Sequence, residues 1–162
     1  MTTRDLAAWV APGARVVGDV QMDEESSLWY CSVLDGSAAP VRLGPQANVQ
    51  DNCVVAGAPG HPVSIGARVS LGHNAHVIGA IVEERSLIAI GATVRPGAVI
   101  GAQSIVAANA TVPEGMQVPS RSLVIGNGRI LRPVTEAEIE RIEHGADDYV
   151  RLSREHHLTQ RD

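Results

Sequence analysis

One histidine stands where acid–base chemistry could be done. In the segment NVQDNCVVAGAPGHPVSIGARVSLGHNAHVIG, residues 48–79, His73 follows a Leu-Gly pair and Gln50 and Asp51 lie upstream of it. An imidazole titrates near neutrality and can serve as a general base; a buried ring hydrogen-bonded to a neighbour is the equally plain alternative. A catalytic zinc would need about three protein donors, so His73 alone grips one poorly. His76, three residues on, falls at another point of the local spacing and is expected to face elsewhere. His61 lies in the loop AGAPGHPVS, from which it could reach inward. His156 and His157, in the C-terminal tail, are expected to be solvated. There is no lysine: all 13 basic residues are arginine, which excludes a Walker-type phosphate lysine and Schiff-base chemistry. Cys31 and Cys53 make no CxxC pair and are expected to be reduced, small and buried.

What positions these groups is a repeat. Aliphatic residues stand six apart at Ile88, Val94, Ile100, Val106, Val112, Val118, Val124 and Ile130, and upstream at Val10, Val16, Met22, Leu28 and Leu34. The spacing returns at Leu43, Val49 and Val55 and at Ile65, Leu71 and Val77. Small residues follow four positions after many of them: Ala47, Cys53, Val69, Ala75, Ala92, Ala98, Ser104 and Ala110. A period of six fits neither a helix nor an alternating strand. It fits a solenoid with flat faces one hexapeptide long, three faces making a coil of about eighteen residues. A sandwich of short strands would not keep one phase over such a run. With no Phe and only Trp9, Trp29, Tyr30 and Tyr149 as aromatics, the core must be an aliphatic stack, with Gly, Asn or Asp at turns of positive φ.

The phase breaks at residues 35–42 (DGSAAPVR) and 56–64 (AGAPGHPVS), both read as inserted loops, and near 83–85, where one residue is lost. Loops bulging from a solenoid are where function tends to sit. After Pro133 a capping box at Thr135 and Glu138 opens a helical stripe through Ile139, Ile142, Ala146, Tyr149, Val150 and Leu152. One or two helices are expected there, covering an apolar face or a coil edge, with the tail from Arg154 frayed. The organisation is then 1–133 β-solenoid and 134–162 helical segment. At 162 residues, net charge −5 and pI about 5.6, without a basic run, a spanning stretch or a signal-peptide layout, the reading is a cytoplasmic protein that binds neither nucleic acid nor membrane. Arg-only, Ala-rich usage suggests a bacterial source.

The runs GDVQMDEESSLWYCSVLDG, ANVQDNCVV, IGARVSLGHNAHVIG and IGATVRPGAVIGAQSIVAANATVPEGMQVPSRSLVIGNG resemble the gamma-class carbonic anhydrases, a branch of the hexapeptide-repeat proteins, over residues 18–134. The resemblance implies a left-handed parallel β-helix with a C-terminal α-helix, to which Tyr149 would belong. It implies a homotrimer with zinc held between subunits by three histidines, two from one subunit and one from its neighbour. In this chain the three ligand positions are Ala56, His73 and Ile78, so no metal is expected unless His73, His61 and a carboxylate form a rearranged site. The family's Arg-Gly-Asp after VL is replaced by Asp35 and Ser37, which sets Asp35 against Asp51 across the subunit boundary, with Arg42 or Arg68 as compensating cations.

Three functions follow from this reading. The first is a trimer, homomeric or mixed with an intact homologue, that lacks carbonic anhydrase activity and keeps an inter-subunit small-molecule cleft lined by Asp35, Ser37, Asn48, Ala56, Ile78 and Tyr30. The second is metal-independent acyl-transfer or thioester chemistry with His73 as base, Asp51 or Asp35 orienting it, Gln50 beside them and Ser37 as a hydroxyl. The third is a carbonic anhydrase with a rearranged metal site.

Overall fold

A computed structural model describes residues 7–160. They form a parallel β-solenoid of about six turns and one helix. The first face stacks Trp9–Val10, Ser27–Leu28, Asn48–Val49, Ser70–Leu71, Leu87–Ile88, Ile105–Val106 and Ser122–Ile125. The second stacks Val54–Ala56, His76–Ile78, Thr93–Val94 and Thr111–Val112 above the first arms of Arg15–Met22 and Val33–Leu43. The third stacks Val63–Ile65, Ile81–Val82, Val99–Ile100 and Gln117–Val118 above the second arms of the same two strands. All pairings within the stacks are parallel, and Arg129–Pro133 folds back antiparallel on Ser122–Ile125.

The repeat works as the spacing predicts. Leu28, Leu34, Val49, Val55, Leu71, Val77, Ile88, Val94, Ile100, Val106, Val112 and Val124 are fully buried in one core, together with Ala47, Cys53, Ala75 and Ala92. The column departs from expectation at its ends. Val10 and Val16 are 43% and 45% exposed, because they point inward from the first coil, beneath which no other coil lies among the described residues. Ile130 is 44% exposed, because the chain has already turned back.

The insertions also differ from loops. Residues 35–42 lie inside one eleven-residue strand, Val33–Leu43, which has partners on both sides and so stays extended around the corner between the second and third faces. Residues 56–64 close tightly through paired backbone bonds between Ala58 and His61, 2.8 and 3.0 Å. Gly57 is required there: a Cβ would strike the carbonyl of Ala39. The lost residue falls at Gly79–Ala80, between Val77 and Val82, while 83–85 is a regular corner.

The described residues contain one helix, Glu136–Thr159, lying along the first face against Trp9–Val10, Ser27–Leu28, Asn48–Val49 and Ser70–Leu71. Thr135 caps it with the predicted box: its hydroxyl accepts from Glu138 N and its N–H donates to Glu138 Oε2. It buries Ile139, Ile142, Ala146 and Ser153. The helix is fixed at the corner between the third and first faces, where Arg68 bonds Glu143 (2.6 Å) and Asp147 (2.8 Å), and Arg85 reaches Glu143 (3.1 Å). Arg154 pairs with Glu25, so the tail is docked rather than frayed through Thr159; 161–162 lie outside the described residues. No helix of the described residues is long and apolar enough to cross a membrane.

Thr135→Ala should cost about 1 kcal/mol in denaturant unfolding, and Leu71→Ala, in mid-stack, about 2–5 kcal/mol. Glu138 is pulled down to about 2 by Arg132 and the Thr135 cap. Its contribution is complete above the ordinary value of 4.5 and disappears as pH falls towards 2. Denaturant unfolding followed by helix content should therefore show Glu138→Gln less stable than the wild type above pH 4.5 and converging on it as pH falls towards 2.

Candidate functional site

Backbone ladders decide which side chains meet. At the corner between the first and second faces, Asn52 N–H donates to Tyr30 O, Asn74 N–H to Asp51 O and Gly91 N–H to His73 O, at 2.9–3.0 Å. Tyr30, Asp51, His73 and Ile90 are thereby stacked on successive coils. Cys31, Asn52 and Asn74, next in the turn, take φ near +60°, a conformation Asn tolerates and most residues avoid.

The stack brings two predicted residues together. His73 Nδ1 lies 2.9 Å from Asp51 Oδ2, with the side chains 41% and 33% exposed. Nδ1 being engaged, Nε2 is the ring nitrogen left for another partner. Behind this pair Gln50 Nε2 donates to Asn48 Oδ1 (3.1 Å) and Asn48 Nδ2 to Ser70 Oγ (2.8 Å), all buried. Gln50 and Asn48 are thus committed to a side-chain ladder on the first face. Tyr149 packs edge to face on Trp29, 5.1 Å between ring centroids, and burial, with the Asp51 charge second, raises its phenol above the usual value.

Tyr30 tops the column through a residue expected to be solvated. Its hydroxyl lies 2.7 Å from His156 Nδ1 and accepts from Gln160 Nε2 at 3.0 Å. The His156 ring sits 5.1 Å from Trp29 and 5.8 Å from Trp9, edge to face. His157 is exposed, as expected. The signal for His156 was present: Ile142, Ala146, Tyr149, Ser153 and His156 continue one stripe at spacings of four and three.

The other predicted residues form a second column. Asp35, Ala56 and Ile78 are register partners on successive coils of the second face. They point outward, each following an inward Leu34, Val55 or Val77. His76 occupies the outer side of that face too, opposite Val54 and two residues before Ile78. Asp35 accepts from Ser37 N–H (2.9 Å), and Ser37 holds its carboxyl below the usual range. Within one chain Ser37 and Asp35 are not at the His73 corner. Neither compensating arginine reaches Asp35 or Asp51: Arg42 is paired with Asp19 (2.8 Å) and Arg68 with the helix. His61 does not reach His73. It lies over the corner between the second and third faces, its Cε1 3.4 Å from where a Cβ on Gly97 would stand, beside a shallow groove of about 310 Å³ that includes Gly79, Ile81 and Val99. Among the described residues no three His, Cys, Asp or Glu side chains are placed to hold a metal.

Comparison with known proteins gives these columns a family. A scan against protein-family models finds no match. A probable carbonic anhydrase of Methanocaldococcus jannaschii is 46% identical over 145 residues, 89% of this chain and 91% of that protein. Gamma carbonic anhydrase 1 of Arabidopsis thaliana is 39% identical over 159 residues, 94% of this chain, which spans 58% of the plant protein's length. This chain belongs to the gamma carbonic anhydrase-like hexapeptide-repeat proteins. A hexapeptide transferase family protein from Anaplasma phagocytophilum superposes with TM-score 0.87 at 32% identity, over 91% of this chain and 87% of its own. A putative acetyltransferase from Bacillus cereus gives 0.87 at 26% identity, over 97% and 95%. The solenoid accordingly matches the left-handed β-helix expected.

The two cysteines of this gamma carbonic anhydrase-like chain differ in state. Cys53 is in the core beneath the Asp51 corner, its thiol pushed up to about 12 by burial. Cys31, expected to be buried, is exposed, because its turn position projects it from the corner. A thiol-reactive chromophore should titrate one cysteine in the native protein and two after unfolding. Two fast-reacting thiols in the folded state would contradict this placement.

Proposed function

We propose that this gamma carbonic anhydrase-like chain forms a trimer whose inter-subunit cleft has lost the zinc chemistry of the family and binds a small molecule instead. The observation that carries the reading is the Asp35–Ala56–Ile78 column. The family resemblance puts two of three zinc ligands at Ala56 and Ile78, which are register partners here. A methyl and a sec-butyl group offer no lone pair, and His73 with one water falls short of the three protein donors a catalytic zinc takes. Without the metal, bound water keeps its high pKa and hydration of CO2 by this route is closed. The trimer can be homomeric or mixed with an intact homologue, and a cytoplasmic location belongs to the same reading.

The test is metal content with a CO2 hydration assay. Purified wild type should carry far less than one zinc per chain and show no metal-dependent hydration. Ala56→His/Ile78→His should bring zinc towards about one per chain, since three imidazoles then face the cleft. Stoichiometric zinc and rapid turnover in the wild type would end this reading.

The Asp51–His73 contact favours a second one. A carboxylate on Nδ1 orients the ring and leaves Nε2 to take a proton from an attacking group, as acyl transfer from a thioester requires. The nucleophile is then the acceptor's own, because Ser37 is not at this corner. His73→Ala should lower kcat/KM on an acyl thioester about 10²–10⁴-fold; unchanged turnover excludes His73 as the base.

A further inference from the structure

The two ends of the solenoid are finished differently. At one, Arg129–Pro133 turns back on the last strand of the first face. At the other, the eight-residue strand Arg15–Met22 is paired, among the described residues, on one side alone, with Val33–Leu43. The helix does not cross this end; it runs along the first face. Val10 and Val16 point into the core and are nevertheless exposed, while their partners one coil up, Leu28 and Leu34, are fully buried. Core side chains and one row of backbone donors and acceptors are therefore presented together, the arrangement that recruits another strand.

The strand is also complementary to itself. Gly18, at φ +72°, sits where it bends from the second face to the third. A twofold axis through this corner lays one arm over the other, so the bent strand can pair antiparallel with its own copy. With Val16 against Met22, both inward-facing, Arg15 falls opposite Asp23 and the pair occurs twice. Arg15 is exposed and has no ion-pair partner among the described residues; Asp23 accepts from Gln21 Nε2 (2.9 Å) and likewise has none. Asp19 near the axis is already neutralised by Arg42, so the joint brings no unpaired like charges together.

We propose that the first coil is an interface for a second copy of this chain, joined end to end about a twofold axis at Gly18–Val20, with Val10, Val16 and Met22 continuing the aliphatic stack across the joint and Arg15 pairing with the second copy's Asp23. The contact is isologous, so it closes after two copies and does not propagate into a fibre.

Native mass spectrometry and light scattering of the full chain test this, and the readout does not depend on metal content or activity. The wild-type particle should contain an even number of chains: six, where two of the proposed trimers are joined through their first coils, so that half the mass is the trimer itself. Val16→Lys, at a position exposed in the single chain, should halve the mass while the far-UV circular dichroism of the chain is unchanged. Arg15→Asp should halve it as well, and Arg15→Asp/Asp23→Arg should restore it. A wild-type particle with an odd number of chains, a Val16→Lys particle of wild-type mass, or a charge-reversed pair that stays at half mass would each overturn the proposal.

Discussion

Everything in this molecule depends on one coil being hydrogen-bonded squarely to the next. The corner N–H of each turn donates to the corner carbonyl of the turn before, and the inward aliphatics stack beneath. Residues in equivalent positions are thereby held about one strand spacing apart. Asp51 and His73 are far apart in sequence and meet because Asn74 N–H reaches Asp51 O. Asp35, Ala56 and Ile78 align for the same reason on the neighbouring face. The site is a by-product of the register, and a slip of one residue in any coil would turn its inward set outward.

The third corner shows the same constraint accommodating less suitable residues. Glu25, Gln46, Arg68, Arg85, Gln103 and Arg121 all hold φ between +55° and +61°, where long side chains are uncommon. From Gln46 onward their amides are nonetheless satisfied by the coil before: Arg68 N–H donates to Pro45 O and Arg85 N–H to Ala67 O. The side chains are then used. Arg68 and Arg85 converge on Glu143, Arg121 on Glu136, and Glu25 receives Arg154. At Glu25, Arg68, Arg85 and Arg121 the strained turn position and the docking of the helix are thus one feature, because the helix supplies the partner.

The six-residue phase made the solenoid and its core legible directly, since an inward aliphatic in each hexapeptide leaves little freedom. Thr135 and Glu138 likewise announced the helix start, because a capping box is local chemistry. Less legible was anything set by coil-to-coil contact. Residues 35–42 looked like a loop because their phase is broken, yet partners on both sides keep them extended. Cys31 looked buried by composition, yet its turn geometry projects it. His156 looked terminal and solvated, yet the helix carries it to Tyr30. The Asp51–His73 pair was anticipated in part; that Asp51 rather than Asp35 orients the ring follows only once the corners are superposed.

These same facts say which positions the fold restrains and which it leaves free to vary. In each strand of the second face one residue points in and its neighbours point out. Val55 and Val77 carry the stack, whereas Ala56 and Ile78 contribute nothing to it that an imidazole would not. Exchanging outward groups leaves the aliphatic core and the corner ladders untouched, so stability places little restraint on the outer column. The first corner differs. Its turn geometry and the buried Gln50–Asn48–Ser70 ladder behind it tie Asp51 and His73 to the scaffold. On the proposed reading, what is kept is the part embedded in the coil register, and what has been exchanged is the outer column, which the register does not hold.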